Sequence, residues 1–132
     1  NTGKGCHLDA DMVRRALDRL DPADGSLLLV ENVGNLVCPA GWDLGANTAA
    51  VIASVPEGHD KPYKYPGMFA AADAVLLNKA DLATYFDFDL AYFERGLRMV
   101  NPDAPLFVVS CRTGEGIAAW TNWLVHRFQP GK

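Results

Sequence analysis

The chain has 132 residues, of which 49% are hydrophobic and 21% are charged, and its formal net charge is −4. This length and composition predict one soluble globular domain with a buried core, and the negative charge argues against a nucleic-acid partner. No apolar run reaches the roughly 18 residues of a membrane span, and the first residues lack the apolar stretch of a signal peptide. Three cysteines, an odd number, predict free thiols or metal ligands and a cytoplasmic location.

Helices and apolar strands alternate along the chain. Asp9 can cap a first helix that runs to about Leu20, because apolar residues recur there at helical spacing. Apolar runs predict strands at residues 26–30, 48–55, 74–77 and 106–109, and periodic segments predict helices near 68–72, 90–100 and 116–128. Strands without polar alternation that are separated by helices predict a mostly parallel sheet with helices on both faces.

Polar residues follow three of these predicted strands. Glu31, Asn78 and Ser110 each come directly after an apolar run. Ligands of parallel sheets bind at the carboxyl ends of the strands. We therefore expect these three residues to lie at one rim of the sheet.

The third predicted strand ends in a motif that can read guanine. Residues 78–81 are Asn-Lys-Ala-Asp, and a buried strand that ends in Asn-Lys-x-Asp is the guanine-reading element of P-loop GTPases. The carboxylate of Asp81 can accept two hydrogen bonds from guanine, each worth about 1.5–3 kcal/mol when charge-assisted. The stem of Lys79 can lie along the base, and Asn78 can hold the loop to its neighbours. The alternative is a strand that ends in a polar turn.

A second loop supports the guanine interpretation. The fourth predicted strand leads into residues 110–116, Ser-Cys-Arg-Thr-Gly-Glu-Gly. In GTPases a loop of this kind closes over the base with backbone N–H groups, and glycines permit the close approach. We predict that Ser110, Cys111 and Arg112 bind the nucleotide, although Ser/Thr/Gly clusters often only join a strand to a helix.

A phosphate-binding loop is missing from the sequence. Nucleotide hydrolysis in this class needs Gly-x-x-x-x-Gly-Lys-Ser/Thr, and no such motif occurs. Residues 3–5, Gly-Lys-Gly, lack the leading glycine and the hydroxyl residue after lysine. The chain is thus expected to be the carboxyl-terminal part of a longer GTPase that does not hydrolyse GTP by itself, or else a relative that cannot hold phosphates.

Residues 31–40, Glu-Asn-Val-Gly-Asn-Leu-Val-Cys-Pro-Ala, resemble the signature of the hydrogenase nickel-incorporation GTPases, the HypB family. Residues 2–10, residues 60–69 and the Trp-x-x-Trp-Leu of residues 120–124 are similar to that family too, whereas the related urease GTPases differ at residues 31–40. The resemblance implies a P-loop GTPase fold of the SIMIBI-like class. Residues 1–132 would form the carboxyl-terminal portion of a single GTPase domain. The phosphate loop, the first switch and a His-rich tail would precede Asn1.

The same resemblance implies catalytic and metal-binding residues. Glu31 occupies the place of the switch carboxylate that organises Mg²⁺, and the N–H of Gly34 would bond the γ-phosphate of GTP. Cys6, His7 and Cys38 match the ligands of the family for nickel or zinc, and thiolate and imidazole donors suit Ni²⁺ and Zn²⁺. The alternative for Glu31 is a carboxylate at a strand end without a catalytic role, and the alternative for the cysteines is that they are small buried side chains.

The implied function is that of a GTP-dependent nickel metallochaperone, or insertase, for [NiFe]-hydrogenase maturation. The implied ligands are GTP or GDP, Mg²⁺, and Ni²⁺ or Zn²⁺. The implied partners are a nickel-binding hydrogenase accessory protein, the hydrogenase large subunit and a second copy of the chain in a nucleotide-dependent homodimer. The competing hypothesis is a non-catalytic metal-binding or dimerisation module that has lost GTP hydrolysis.

Overall fold

The computed structural model describes residues 8–32 and 44–128, and the chain divides into two compact units between Asn47 and Thr48. Four of the predicted site residues, Cys6, His7, Gly34 and Cys38, lie outside the described residues. None of the helices within the described ranges has the length and apolar character that crossing a membrane requires.

The first unit contains the predicted capped helix. Helix α1 spans Ala10–Leu20, and the side chain of Asp9 accepts a hydrogen bond from the backbone N–H of Met12 at 2.7 Å. The helix ends where Asp21 adopts a left-handed conformation, with φ of 43°. These bounds confirm the prediction, because a carboxylate at the N-cap satisfies an amide that otherwise lacks a partner.

The predicted strand at residues 26–30 is wrong for the described part of the chain. These residues form no strand, and the side chains of Leu27, Leu28, Leu29 and Val30 are between 42% and 82% exposed. An apolar run predicts that a segment needs burial, but a strand also needs a neighbour whose backbone it can pair with. Within the described residues, the segment 26–30 takes part in no strand pairing.

The second unit is built on a three-stranded parallel sheet. Strands β1 (Ala50–Ser54), β2 (Ala74–Asn78) and β3 (Leu106–Val108) lie in the order β1-β2-β3. The register aligns Ile52, Leu76 and Phe107 across the sheet. All three strands were predicted, and their parallel arrangement confirms the predicted fold class.

Both faces of the central strand are covered. The four side chains from Ala74 to Leu77 are buried although successive residues of a strand point to opposite faces. Phe107 contacts Trp120 and Trp123 of helix α5 (Ile117–Phe128), with ring centroids 5.5 and 5.9 Å apart. This aromatic cluster packs α5 against the edge strand.

Two short helices replace the one predicted near residues 68–72. Helix α2 spans Lys61–Lys64 and helix α3 spans Pro66–Ala70, so the segment starts earlier and breaks at Tyr65. A proline lies in the first turn of each helix, a position at which its missing N–H costs nothing. Proline therefore starts the second helix where periodicity alone placed a later start.

Helix α4 spans Leu90–Val100 as predicted, with the Asp89 side chain accepting a hydrogen bond from the N–H of Tyr92 at 2.9 Å. Phe93 of α4 and Phe69 of α3 are completely buried against each other. Gly96 lets the ring of Tyr63 approach α4, since a Cβ at this position would lie 2.5 Å from that ring. The helices α2, α3 and α4 therefore form one packed layer.

Candidate functional site

The carboxyl ends of β2 and β3 are joined through Asn78. Its Oδ1 accepts hydrogen bonds from the backbone N–H of Lys79 at 2.7 Å and of Cys111 at 3.2 Å. The second of these bonds spans 33 residues of sequence. Asn78 therefore holds the two predicted base-binding loops together, which is the role that its position in the motif suggested.

Lys79 turns the chain sharply after β2. Its φ is 62°, a left-handed conformation that costs a residue other than glycine about 1–2 kcal/mol. The next residue, Ala80, donates its N–H to the carbonyl of Val109 at 3.0 Å and begins a short 3₁₀ helix, Ala80–Tyr85. The turn directs the chain so that Asp81 comes to lie over the end of β3.

The two carboxylate oxygens of Asp81 have different partners. Oδ1 accepts a hydrogen bond from Ser110 Oγ at 2.6 Å, whereas Oδ2 lies 3.7 Å from Nη1 of Arg112. The Asp81 side chain is only 15% exposed, while that of Arg112 is 82% exposed. The carboxylate is therefore fixed on its buried side by Ser110 and faces an exposed cation on the other side.

Ser110 is the residue that organises the second loop. It is completely buried, and its Oγ accepts a hydrogen bond from the N–H of Thr113 at 3.2 Å while donating to Asp81. Its backbone closes the loop through the N–H of Gly114 and the carbonyl of Glu115, at 2.8 and 2.9 Å. The sequence predicted Ser110 as a nucleotide-binding residue of the loop, but its role as the partner of Asp81 requires the folded structure.

Gly116 ends this loop at a position that no side chain can occupy. Its φ is 71°, and a Cβ would lie 2.1 Å from the carbonyl oxygen of Val108 in β3. Gly114 has a similar φ of 85° but open space around it. Packing and backbone conformation therefore both require glycine at Gly116, whereas at Gly114 only the backbone conformation does.

Cys111 contributes to the loop through its backbone. Its N–H bonds Asn78, and its thiol is free and exposed. An exposed thiol of this kind has no packing role in the described structure. The side chain of Lys79 is likewise exposed at the same rim.

Glu31 belongs to the first unit and is exposed. Its neighbour Asn32 accepts a hydrogen bond from the N–H of Leu8 at 3.1 Å. Leu8 follows His7 in the sequence, so this bond connects the chain next to one predicted metal ligand with the chain next to Glu31. Within residues 8–32 and 44–128, no group of three histidine, cysteine, aspartate or glutamate residues is arranged to hold a metal ion.

The segment at residues 60–69, similar to the family, contains an internal ion pair. Lys64 Nζ lies 2.6 Å from Oδ2 of Asp60, one helical turn away. The hydrogen bond from Lys64 lowers the pKa of Asp60 below its ordinary value, and the same bond raises the pKa of Lys64. Both side chains are substantially exposed, so the pair contributes little to folding stability.

Comparison with known proteins identifies the family to which the chain belongs. Residues 1–108 match the family model "CobW/HypB/UreG, nucleotide-binding domain". The chain belongs to the CobW/HypB/UreG family. A curated relative, the hydrogenase maturation factor HypB of Azotobacter vinelandii, is 57% identical over 124 residues, which cover 94% of this chain and 41% of the relative. The chain therefore spans less than half the length of that family member.

Two solved structures of family members have the same fold. HypB from Archaeoglobus fulgidus matches with a TM-score of 0.90 and 39% identity, over 98% of this chain and 63% of that protein. HypB from Helicobacter pylori in complex with nickel matches with a TM-score of 0.91 and 40% identity, over 97% of this chain and 61% of that protein. These matches confirm the predicted resemblance to HypB and the predicted fold.

Proposed function

We propose that this chain forms the guanine-reading and metal-binding portion of a GTP-dependent nickel metallochaperone for [NiFe]-hydrogenase maturation. The observation that carries the proposal is the partly buried carboxylate of Asp81, oriented by Ser110 at 2.6 Å beside the loop that Asn78 holds. In this proposal residues 1–132 are the carboxyl-terminal portion of one GTPase domain. The family to which the chain belongs is described as nucleotide-binding.

The base site would work by matching donors to a fixed acceptor. A guanine offers a ring N–H and an exocyclic amine side by side, and a carboxylate accepts both. Because Ser110 already holds one oxygen of Asp81, the carboxylate needs little reorganisation when the base arrives. Lys79 and Arg112 are the exposed side chains that can border the base, and Cys111 belongs to the loop that encloses it.

Glu31 and Gly34 are the residues proposed to act on the phosphates of the nucleotide. Glu31 is an exposed carboxylate that would organise Mg²⁺ through water, and the N–H of Gly34 would contact the γ-phosphate. When bound, Mg²⁺ supplies charge that stabilises the phosphoryl group. Glu31 would hold that ion through a bound water, whose oxygen is the type of ligand that Mg²⁺ prefers.

Nickel would be cargo that the protein binds and passes on. Cys6, His7 and Cys38 supply two thiolates and an imidazole, a donor set suited to Ni²⁺ and to Zn²⁺. One similar structure is named as a complex with nickel. Cys38 follows the switch residues Glu31 and Gly34, so a change at the γ-phosphate can reach a metal ligand through a few residues of chain.

Three ligands from one chain leave the metal site incomplete, and a second copy of the chain could complete it. We therefore propose a nucleotide-dependent homodimer in the cytoplasm. A nickel-binding hydrogenase accessory protein would deliver the metal, and the hydrogenase large subunit would receive it. The name of the Azotobacter vinelandii relative, a hydrogenase maturation factor, supports this assignment.

The test of the proposal is selective binding of guanine by the 132-residue chain. The chain contains no Gly-x-x-x-x-Gly-Lys-Ser/Thr, so GMP and AMP, which differ only in the base, are the appropriate probes. We expect GMP to bind at least about tenfold more tightly than AMP, the effect of one charge-assisted hydrogen bond. NMR titration of the wild type and of Asp81→Ala measures this preference.

The matched control is Asp103→Ala, which removes an exposed carboxylate from the loop before β3. Asp81→Ala should lose the preference for GMP, and Asp103→Ala should keep it. Equal binding of GMP and AMP by the wild type would reject the guanine site and favour the non-catalytic metal-binding or dimerisation module.

The proposed metal ligands give a separate prediction. The chain should bind one Ni²⁺ or Zn²⁺ per pair of chains, or one per chain with water at the open positions. Cys38→Ala should weaken binding far more than Cys111→Ala, because the exposed thiol of Cys111 is not among the proposed ligands. Affinity should fall as the pH falls, since thiolates and imidazole must lose protons to coordinate. Metal titration of the two variants beside the wild type measures the difference, and equal losses would contradict the assignment.

A further inference from the structure

Arg112 occupies the side of Asp81 that a guanine must approach. Ser110 is buried and bonds Oδ1, while the exposed guanidinium of Arg112 lies 3.7 Å from Oδ2. A base that bonds both carboxylate oxygens must reach Oδ2 from the exposed side. Arg112 and the base therefore need the same oxygen.

The guanidinium and the base also offer the same chemistry to that oxygen. The guanidinium of arginine presents N–H donors as a planar fork that matches a carboxylate. The recognition edge of guanine is itself a guanidine unit, a ring N–H and an amine on one carbon. The side chain of Arg112 therefore offers Asp81 the same kind of donors as guanine does.

The observed pairing is close but incomplete. A distance of 3.7 Å is beyond that of a charge-assisted hydrogen bond, which is about 2.7–2.9 Å. The contact is therefore an attraction between charges that an arriving base can displace. Because the Asp81 side chain is 15% exposed and Arg112 is 82% exposed, the cation can leave into water without uncovering buried surface.

We propose that Arg112 is an internal competitor of guanine, which pairs with Asp81 while the base site is empty and is displaced when the base binds. This inference rests on the proposed function and adds a residue that sets the affinity of the site. The bound base replaces the charge attraction of Arg112 with two hydrogen bonds to the same carboxylate. Arg112 thus lowers the affinity for guanine by pairing with Asp81 in the empty site, although its exposed side chain can border the base once the base is bound.

The test compares GMP binding by the wild type and by Arg112→Gln, which keeps a polar side chain but removes the charge. At low salt we expect GMP to bind about two- to fivefold more tightly to the variant, the range of an ion pair with one exposed partner. The gain should disappear at about 1 M NaCl, where the screening length is about 3 Å. Arg112→Lys, which keeps the charge, should stay close to the wild type.

Arg95→Ala is the matched control for net charge. Arg95 is an exposed residue of α4 that lies over the ring of Tyr92, and its removal changes the net charge by the same amount. If Arg112→Gln binds GMP at low salt no more tightly than Arg95→Ala does, the inference is overturned. An increase that persists when Asp81 is replaced by alanine would overturn it as well.

These outcomes are separable from failure of the proposed function. If Asp81→Ala does not alter the preference for GMP over AMP, the guanine site itself is wrong. If Asp81→Ala abolishes the preference and Arg112→Gln does not strengthen GMP binding, only the competitor role is wrong.

Discussion

Asp81→Asn should move the preference of the chain from GMP toward XMP. Xanthine carries a carbonyl where guanine carries its exocyclic amine, and the asparagine amide can donate a hydrogen bond to that carbonyl whereas a carboxylate can only accept. The substitution keeps the size of the side chain, and the remaining Oδ can still accept the hydrogen bond of Ser110 Oγ. The site should therefore stay assembled while its donor pattern changes.

We expect the affinity for GMP to fall at least about tenfold and the affinity for XMP to rise, since each charge-assisted bond is worth about 1.5–3 kcal/mol. Parallel titrations of the wild type and the variant with GMP, XMP and AMP give the three ratios. Asp103→Asn is the control that makes the same chemical change at an exposed residue of another loop. An unchanged ratio of GMP to XMP affinity would mean that Asp81 does not contact the base.

Gly116→Ala should lower the free energy of unfolding by more than about 3 kcal/mol. Its Cβ would lie 2.1 Å from the carbonyl oxygen of Val108, and that oxygen is part of the backbone of β3 and cannot swing aside. The residue also has φ of 71°, which costs an alanine about 1–2 kcal/mol before any clash. Either the loop or the edge strand must move.

Gly114→Ala isolates the effect of the clash. Gly114 has φ of 85° and nothing within 4 Å of the added Cβ, so only the conformational cost of about 1–2 kcal/mol applies. Urea unfolding of the two variants beside the wild type measures the difference. Equal destabilisation would show that β3 accommodates the methyl group and that packing against Val108 is not what demands glycine.

The elements that the sequence predicted well are those whose signals are local. Helix α4 begins at Leu90 and ends at Val100 as predicted, because an aspartate caps it and its apolar residues recur at helical spacing. Strand β2 was equally clear, since it is an uninterrupted apolar run between polar residues. The segment at 26–30 has the same composition but is not a strand in the described chain, because pairing depends on a neighbour.

The sequence likewise predicted the local features of the candidate site but not its long-range contacts. The types and spacing of Asn78 and Asp81 predicted a base-reading loop, but no sequence pattern connects Asp81 with Ser110, which is 29 residues away. The sequence also could not predict the ion pair between Arg112 and Asp81, because that pair depends on how the loop after β3 folds relative to the loop after β2. Two glycines two residues apart gave no indication that only Gly116 packs against a backbone carbonyl.

The division of the chain at Asn47 and Thr48 has an evolutionary consequence. The proposed base-reading residues all belong to the second unit, whereas the proposed metal ligands and Glu31 belong to the first. In that proposal, a mutation that exchanges one metal donor for another falls outside the residues that build the sheet carrying Asn78 and Asp81. The proposed choice of metal and the proposed choice of base would then be encoded in different stretches of the sequence, on which selection could act separately.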